Sequence, residues 1–158
     1  MGDPEQDLPP DMLVERQVDE AIAAGVPVPR WGWPIPRSYN GFTGRERVLG
    51  WQKLRVAQRL GLAQREPMCS VCWTAEATQN HTELYARPII SMDVCRSCHF
   101  RIHRRFVDPG QWRALLRQRG HEANWASSLR IVELDRQEAM RIASAHGIFN
   151  ALSCRTGQ

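Results

Sequence analysis

Apolar residues recur at helical spacing in two stretches of the N-terminal half of the chain. In the first, residues 11–24, they fall on one side and Gly25 ends the pattern, which predicts a short helix. Its apolar residues are Leu13, Val14, Val18 and Ile22. The second stretch begins with Thr43 followed three residues later by Glu46, the pattern of a capping box, and ends at Gly61. Apolar and basic residues alternate along it, which predicts an amphipathic helix with a basic face.

Prolines exclude a regular helix between these two stretches. Residues 26–37 contain four prolines, which impose extended or polyproline II geometry. Trp31 and Trp33 lie in this segment, and we expect them to anchor it to the main body of the protein. We therefore divide this part of the chain into an acidic, proline-rich N-terminal segment with one short helix (residues 1–40) and a basic amphipathic helix (residues 41–67).

The C-terminal part of the chain predicts two more helices. An aspartate followed by a proline opens residues 108–119, a strong start signal for a helix. Apolar residues at helical spacing over residues 122–146 predict a longer final helix. We assign residues 107–150 to these helices and residues 151–158 to a tail.

Charge divides the chain into an acidic start and a basic body. Residues 1–29 carry seven acidic side chains and one arginine, and the whole chain has a net charge of +4, so the remainder carries +10. Nearly all of the basic residues are arginines, whose planar guanidinium groups bind phosphate oxygens bidentately. The basic body predicts a nucleic acid as partner, and the acidic, proline-rich segment predicts a protein partner. An arginine-rich, solvated surface without a partner is the alternative interpretation of charge alone.

Nothing in the sequence predicts export or insertion into a membrane. The N-terminus lacks the basic and apolar regions of a signal peptide, and no apolar run approaches the length of a membrane span. We therefore expect a cytoplasmic protein without a membrane partner. In that compartment thiols stay reduced, so clustered cysteines favour metal binding or catalysis over disulfides.

Four of the five cysteines carry the strongest chemical signal. Two pairs, Cys69-x2-Cys72 and Cys95-x2-Cys98, are separated by 22 residues, and Cys154 remains as a bystander thiol. A two-residue gap lets a tight turn aim both thiolates at one ion, and four thiolates suit tetrahedral Zn²⁺. The spacing therefore predicts one structural zinc site that ties a hairpin to the following helix. Two unrelated pairs of core cysteines, or replacement of one thiolate by the neighbouring histidine, are the alternatives.

Histidines inside this frame form a second motif. His81 lies between the two cysteine pairs, followed by Tyr85 and Pro88, and the second pair continues directly into His99-x3-His103. The last two histidines are four residues apart, so they share one face of a helix. Together these residues resemble the HNH (ββα-metal) nucleases, in particular the small phage and bacterial members. Those read roughly C-x2-C, His-His-x-x-Tyr-x-x-Pro, then C-x2-C-His-x3-His, and the resemblance covers about residues 68–105.

The resemblance implies a fold and a function. The fold is α+β, with a small zinc-stapled ββα-metal module at residues 68–106 flanked by helices, mostly α overall, with an extended N-terminal tail. The function is that of a zinc-containing DNA-binding protein whose module acts as a metal-dependent, phosphodiester-cleaving endonuclease. In that function DNA is preferred over RNA as the partner.

The resemblance also implies roles for individual residues. His81 would be the general base, and His99 would bind a catalytic divalent ion such as Mg²⁺, Mn²⁺ or Ni²⁺. His103 would hold the ion or the scissile phosphate, and Asn80 would take the place of a second ion ligand. Arginines near the site and on the basic helix are expected to bind DNA, namely Arg96, Arg101, Arg104, Arg105, Arg55 and Arg59.

Two positions depart from the family pattern. Asn80 stands where the family has a charged or imidazole ligand, and a neutral amide binds a cation more weakly. Ile90 stands where a polar residue helps to orient the base, and it accepts no hydrogen bond. The alternative function is therefore a catalytically inactive, HNH-derived zinc-finger protein that binds DNA or regulates transcription. We also expect Glu83 to be an exposed hairpin acid, and the tryptophans to be anchors rather than platforms for base stacking.

Overall fold

The computed structural model describes residues 10–118 and 125–144, which form five α-helices and one two-stranded sheet. The helices are α1 (Pro10–Ala23), α2 (Gly44–Arg59), α3 (Arg96–Arg104), α4 (Pro109–Gln118) and α5 (Arg136–Ser144), and the strands are β1 (Gln79–His81) and β2 (Met92–Val94). This is the mixed, mostly helical composition that the sequence predicts. The predicted end of the fourth helix at residue 119, Cys154 and the predicted tail lie outside the described residues.

The first two helices begin and end where the sequence places them. Gly25 follows α1 with a φ of +98°, and Gly61 follows α2 with a φ of +72°, conformations that favour glycine. At the start of α2 the Thr43 side chain accepts from the Glu46 N–H at 3.3 Å, and the Glu46 carboxylate accepts from the Thr43 N–H at 2.8 Å. The predicted capping box is therefore confirmed.

Helix α1 packs on α2, and ion pairs surround the contact. The apolar contact buries Val18, Val56 and Ala57. Around it, Arg87 pairs with Asp11 and, at 2.7 Å, with Glu15, and Lys53 Nζ lies 2.6 Å from Asp19 Oδ1. Partly exposed pairs of this kind contribute little stability one by one. They do show that three acids of the N-terminal segment already have basic partners within the chain, and a separate protein partner for this segment stays a prediction.

A tight turn precedes α2 and reaches across the protein. Tyr39 and Phe42 exchange two backbone hydrogen bonds of 2.9 and 3.0 Å, with Asn40 at φ +49° and Gly41 at φ +73° between them. A side chain at Gly41 would lie only 2.2 Å from the backbone nitrogen of Arg136, so glycine is required by space as well as by conformation. The turn presents the side chains of Tyr39 and Asn40 to the interior.

The two strands and α3 form a strand–strand–helix unit inside the predicted module of residues 68–106. Strands β1 and β2 are antiparallel, with Gln79 opposite Val94 and His81 opposite Met92. Helix α3 begins one residue after β2, with Cys95 as its N-cap. The main core lies here and is continued by α4 and the residues after it; its members include the four paired cysteines, Val94, Ile102, Trp112, Leu115 and Leu129.

The prediction of one helix over residues 122–146 is wrong within the described part of that stretch. Trp125–Ser128 form a 3₁₀ turn, and the residues between it and α5 have no regular structure. The Leu134 N–H donates to Asn40 Oδ1 at 3.0 Å, so this connection is held against the turn before α2. Asp135 then starts α5 by accepting from a backbone N–H of its first turn at 2.8 Å. Long-range hydrogen bonds to Asn40 therefore override the helical spacing of apolar residues before α5.

The described helices are short and bury a narrow face each. Helix α3 buries Cys98 and Ile102, and α4 buries Trp112 and Leu115. Among the helices of residues 10–118 and 125–144, none combines the length and the apolar character that crossing a bilayer requires.

Two candidate metal centres

Four buried cysteines lie within reach of a single metal ion. One sulfur from each of Cys69, Cys72, Cys95 and Cys98 lies within 4.8 Å of the others. The first pair sits in a turn closed by Trp73 at φ +54°, and the second pair starts α3, where the Cys95 Sγ accepts from the Cys98 N–H at 3.4 Å. This buried set is compatible with a structural metal such as zinc, which four thiolates bind tetrahedrally.

The thiols strongly perturb each other. A hydrogen bond from the Cys98 thiol lowers the pKa of Cys69 to about 4, in spite of its burial. The same contact, together with burial and the negative charge on Cys69, raises the pKa of Cys98. Cys69 therefore favours the thiolate form, and Cys98 favours the protonated thiol. A dication bound by all four sulfurs removes this conflict, because thiolates are its ligands.

Three histidines converge at a second point. One ring nitrogen from each of His81, His99 and His103 lies within 4.8 Å of the other two, and the Nε2 atoms of His99 and His103 are 3.1 Å apart. The ring centroids are separated by 4.8 to 5.3 Å. His81 ends β1 and the other two stand one turn apart on α3, so packing of the strand on the helix brings them together. Three imidazoles suit a transition metal with a position left for substrate.

Gln79 and Glu83 determine which ring nitrogen carries the lone pair in His99 and in His81. Gln79 Oε1 lies 2.6 Å from His99 Nδ1 and can only accept, so the lone pair of His99 is on Nε2, which faces His103. Glu83 Oε1 lies 2.6 Å from His81 Nε2, and the Nδ1 of His81 is buried without a hydrogen-bond partner among the described residues. Histidines that bind metals usually donate their other N–H to such acceptors. Both rings are therefore oriented as metal ligands are.

The histidines on α3 are neutral at physiological pH. Burial lowers the pKa of His99 to about 3, with a smaller contribution from the charge of His81. Burial and the charges of the other two histidines lower the pKa of His103 to about 2. A histidine is neutral above its pKa, so both rings keep their lone pairs for a cation at pH 7.

Glu83 is buried, which corrects its prediction as an exposed hairpin acid. Besides His81, its carboxylate accepts from the Tyr39 hydroxyl at 2.5 Å, from Asn40 Nδ2 at 2.8 Å and from Arg105 Nη2 at 2.9 Å. Burial acts to raise the pKa of Glu83, but the hydrogen bonds and charges of His81 and Arg105, with the Tyr39 hydroxyl, outweigh it and hold the pKa at about 2. The carboxylate therefore stays ionised and holds the His81 ring in place.

Arg105 completes this network, which corrects its prediction as a DNA contact. The residue is 1% exposed. Its guanidinium donates to Glu83, to the Tyr39 hydroxyl at 2.7 Å, and to the carbonyls of Ile102 and Arg130 at 2.8 and 2.6 Å. No phosphate can reach donors that all point inward. In the sequence Arg105 is indistinguishable from the neighbouring Arg101 and Arg104, which are exposed.

The remaining predicted DNA contacts lie at the surface. Arg96, Arg101 and Arg104 are exposed along α3, the helix that also carries two of the histidines. On α2, Arg59 is exposed, whereas Arg55 is partly buried. Their positions leave them available to phosphates, and their binding to DNA stays a prediction.

The side chain of Asn80 forms hydrogen bonds with residues other than the three histidines. It donates to Asp93 across the sheet, and its Oδ1 accepts from Arg65 Nη2 at 3.0 Å and from Gln58 Nε2 at 3.4 Å. Successive residues of a strand point to opposite faces, so Asn80 and His81 do not share one. The amide oxygen is engaged in these hydrogen bonds, and the role of Asn80 as an ion ligand stays a prediction.

Arg47 is not among the site residues predicted from the sequence, although its charge acts on the clustered histidines. Its positive charge contributes to the lowered pKa of both His99 and His103. The guanidinium lies over the rings of Tyr39 and Tyr85, at 5.4 and 5.1 Å from their centroids. Arg47 directly follows Glu46 of the capping box, and its contact with the Tyr85 ring shows that it lies on the side of α2 that faces the loop between the strands.

Comparison with known proteins adds no family to this description. No protein-family model matches the chain, and neither a curated protein nor a solved structure matches it.

Proposed function

We propose that this protein is a metal-dependent phosphodiesterase that acts on nucleic acid, DNA in the first place, through an HNH-like module. Zinc on the four cysteines would stabilise the module, and a second divalent ion on His81, His99 and His103 would serve the reaction. The observation that supports this best is the histidine cluster itself. A structural zinc module needs only its cysteines, whereas here one buried and two partly buried imidazoles converge beside a complete cysteine set.

The ligand set favours some ions over others. Imidazole nitrogens suit Zn²⁺, Ni²⁺ and other transition metals, whereas Mg²⁺ prefers oxygen ligands. Among the ions expected from the sequence, Ni²⁺ therefore fits the three histidines best. A divalent ion held there would stabilise the negative charge that develops on a phosphodiester during hydrolysis.

The surrounding residues would hold the ligands and the substrate. Glu83 accepts from Nε2 of His81 and Gln79 accepts from Nδ1 of His99, so the lone pairs are left on Nδ1 of His81 and Nε2 of His99. Arg47, whose charge contributes to the lowered pKa of His99 and His103, would bind a phosphate oxygen of the substrate. The exposed arginines of α3, such as Arg101, would bind phosphates further along the strand.

The spacing of the motif favours His81 as an ion ligand over a general base. In the pattern His-His-x-x-Tyr-x-x-Pro, the second histidine lies three residues before the tyrosine. With Tyr85 and Pro88 in register, His81 is the first of the two histidines and Thr82 stands in place of the second. The Thr82 hydroxyl donates to the carbonyl of Ile90 at 3.0 Å, and a threonine does not act as a base near neutral pH. This favours one second candidate function, a nucleic-acid-binding module that holds the ion without cleaving.

A nicking assay tests the proposal. Supercoiled plasmid incubated with the protein and Mn²⁺ or Ni²⁺ is expected to become nicked. His99→Ala and His103→Ala should lower the rate by roughly 100-fold or more, since loss of even an outer partner of a ligand costs about 10–100-fold. Gln118→Ala, an exposed change on α4, serves as the control and should retain the wild-type rate.

Two outcomes separate the candidates. If the wild type leaves the plasmid intact with Mg²⁺, Mn²⁺, Ni²⁺ and Zn²⁺, the phosphodiesterase proposal is wrong. If that protein still binds DNA, with an affinity that falls steeply as salt is raised, the binding module is the correct function.

A further inference from the structure

A cleft opens onto the histidine cluster, and its walls are largely apolar and aromatic. It lies between α2, the proline-rich segment of residues 26–37 and the loop that joins the two strands, and it encloses ≈ 150 Å³. Its lining includes Trp31, Arg47, Trp51, Tyr85, His81 and His99. Two of the three clustered histidines are therefore reached from this cleft, and a molecule that enters it meets aromatic rings first.

Trp31 and Trp51 line the cleft, and Trp33 packs against both of them. The ring of Trp31 lies 5.1 Å from those of both Trp33 and Trp51, and Trp33 and Trp51 are 6.4 Å apart, all edge to face. The contact confirms that the proline-rich segment is anchored to α2 by its tryptophans. Trp33 nevertheless remains 65% exposed. A large aromatic surface is thus left in water beside the candidate ion site, where a ligand could cover it.

Arginines alternate with these rings. The Arg55 guanidinium lies 5.6 Å from the centroid of Trp51. Arg47 donates to the carbonyl of Arg37 at 2.6 Å, while its Nε is buried without a hydrogen-bond partner among the described residues. The Nε–H group of Arg47 therefore remains available to donate a hydrogen bond to a ligand. Aromatic rings set among cations are the composition of grooves that bind single-stranded nucleic acid, where bases stack and the backbone follows the positive charge.

The size of the cleft excludes a base pair. Pockets that enclose a drug-sized ligand measure roughly 300–1,000 Å³, so this one accommodates about a single ring system. A base within a duplex would first have to leave the stack, at a cost of a few kcal/mol, whereas an unpaired base enters without it. We propose that the cleft binds single-stranded nucleic acid, with one unpaired base against Trp31, Trp33 and Trp51 and the adjoining phosphate at Arg47. This inference rests on the proposed function in taking nucleic acid as the substrate.

Equilibrium binding of labelled oligonucleotides tests this inference. Fluorescence anisotropy is measured with the full-length, zinc-loaded protein and no other divalent ion, using a 12-mer of thymidine, a 12-mer of uridine and a mixed-sequence 12-base-pair DNA duplex. We expect at least one of the two single strands to bind about tenfold or more tightly than the duplex. The preferred single strand identifies the sugar that the cleft accepts, and either preference supports the proposal.

Two tryptophan variants make the test specific. Trp33→Ala should weaken binding of the preferred single strand by about 5- to 150-fold, the range measured for loss of one stacking platform. Trp73→Ala is the matched control, because Trp73 is also exposed (59%) but lies in the first cysteine turn, away from the cleft. It should change the affinity less than twofold. Trp33 contributes little to the core, and an unchanged circular dichroism spectrum and zinc content verify that the variant is folded.

Failure of this inference is distinguishable from failure of the proposed function. Equal or tighter binding of the duplex, or equal effects of the two tryptophan variants, would overturn the cleft assignment even if plasmid is nicked. Single-strand binding that depends on Trp33 in a protein that never cleaves would instead support the cleft and refute the phosphodiesterase.

Discussion

Replacement of Cys95 by alanine is expected to unfold the module of residues 68–106. The four paired cysteines lie in the main core together with residues of β2, α3 and α4, so the loss of one ligand removes both the ion and the contacts around it. Structural zinc contributes roughly 10–16 kcal/mol to the folding of small metal-binding units. That exceeds or equals the total stability of about 5–15 kcal/mol of an ordinary domain, so no other interaction can compensate.

Metal analysis and circular dichroism measure this effect. Cys95→Ala should lose zinc and most of its ordered near-ultraviolet signal, whereas Cys154→Ala, which removes the one unpaired cysteine of the sequence, should keep the zinc content of the wild type. Undiminished zinc in Cys95→Ala would show that the four cysteines do not form one site.

Replacement of Arg105 by alanine is expected to lower the free energy of unfolding by about 3–5 kcal/mol, the usual result of breaking a buried ion pair from one side. Glu83 would remain buried with an ionised carboxylate and without its cationic partner. The Tyr39 hydroxyl and two backbone carbonyls would also lose a donor. Urea denaturation measures the change, and Arg104→Ala provides the control because that neighbouring arginine is exposed.

A double variant separates the ion pair from the packing of the arginine. If unpaired charge causes the loss, Glu83→Gln combined with Arg105→Met should be more stable than Arg105→Ala alone, since the double variant leaves no charge buried without its partner. A free energy of unfolding for Arg105→Ala within about 1 kcal/mol of the wild type would contradict the role assigned to this network.

Local chemistry explains why parts of the fold could be predicted from the sequence. A capping box involves Thr43 and Glu46, three residues apart, and a cysteine pair needs only the turn between its members. The i, i+4 spacing of His99 and His103 likewise fixes their common helix face. Each of these features depends on a few neighbouring residues, so the sequence pattern contains all the information required.

The parts that could not be predicted depend on residues far apart in the chain. Glu83 is ionised and buried only because Tyr39, 44 residues earlier, and Arg105, 22 residues later, fold against it. Nothing in the local sequence distinguishes Arg105 from its exposed neighbours. The stretch before α5 has a helical pattern, but hydrogen bonds to Asn40 hold part of it outside a helix.

Glu83 is close to His81 in sequence, yet its role could not be predicted. It follows His81 by two residues, but β1 ends at His81, so no strand register relates the two side chains, and the sequence alone predicts an exposed acid. Ile90, at the position where the family has an orienting group, is buried and apolar. The orienting carboxylate comes from Glu83 instead, and it is supported by the turn before α2. The helices and turns that flank the module therefore contribute to the site.

Titration of the metal-free protein with Co²⁺ tests most directly whether the histidine cluster is a metal site of its own. We predict two binding events per chain, one with the intense charge-transfer absorption of thiolate ligands and one without it. His99→Ala should remove the second event and leave the first unchanged. A single event with thiolate absorption in the wild type, or two events that persist in His99→Ala, would contradict the account.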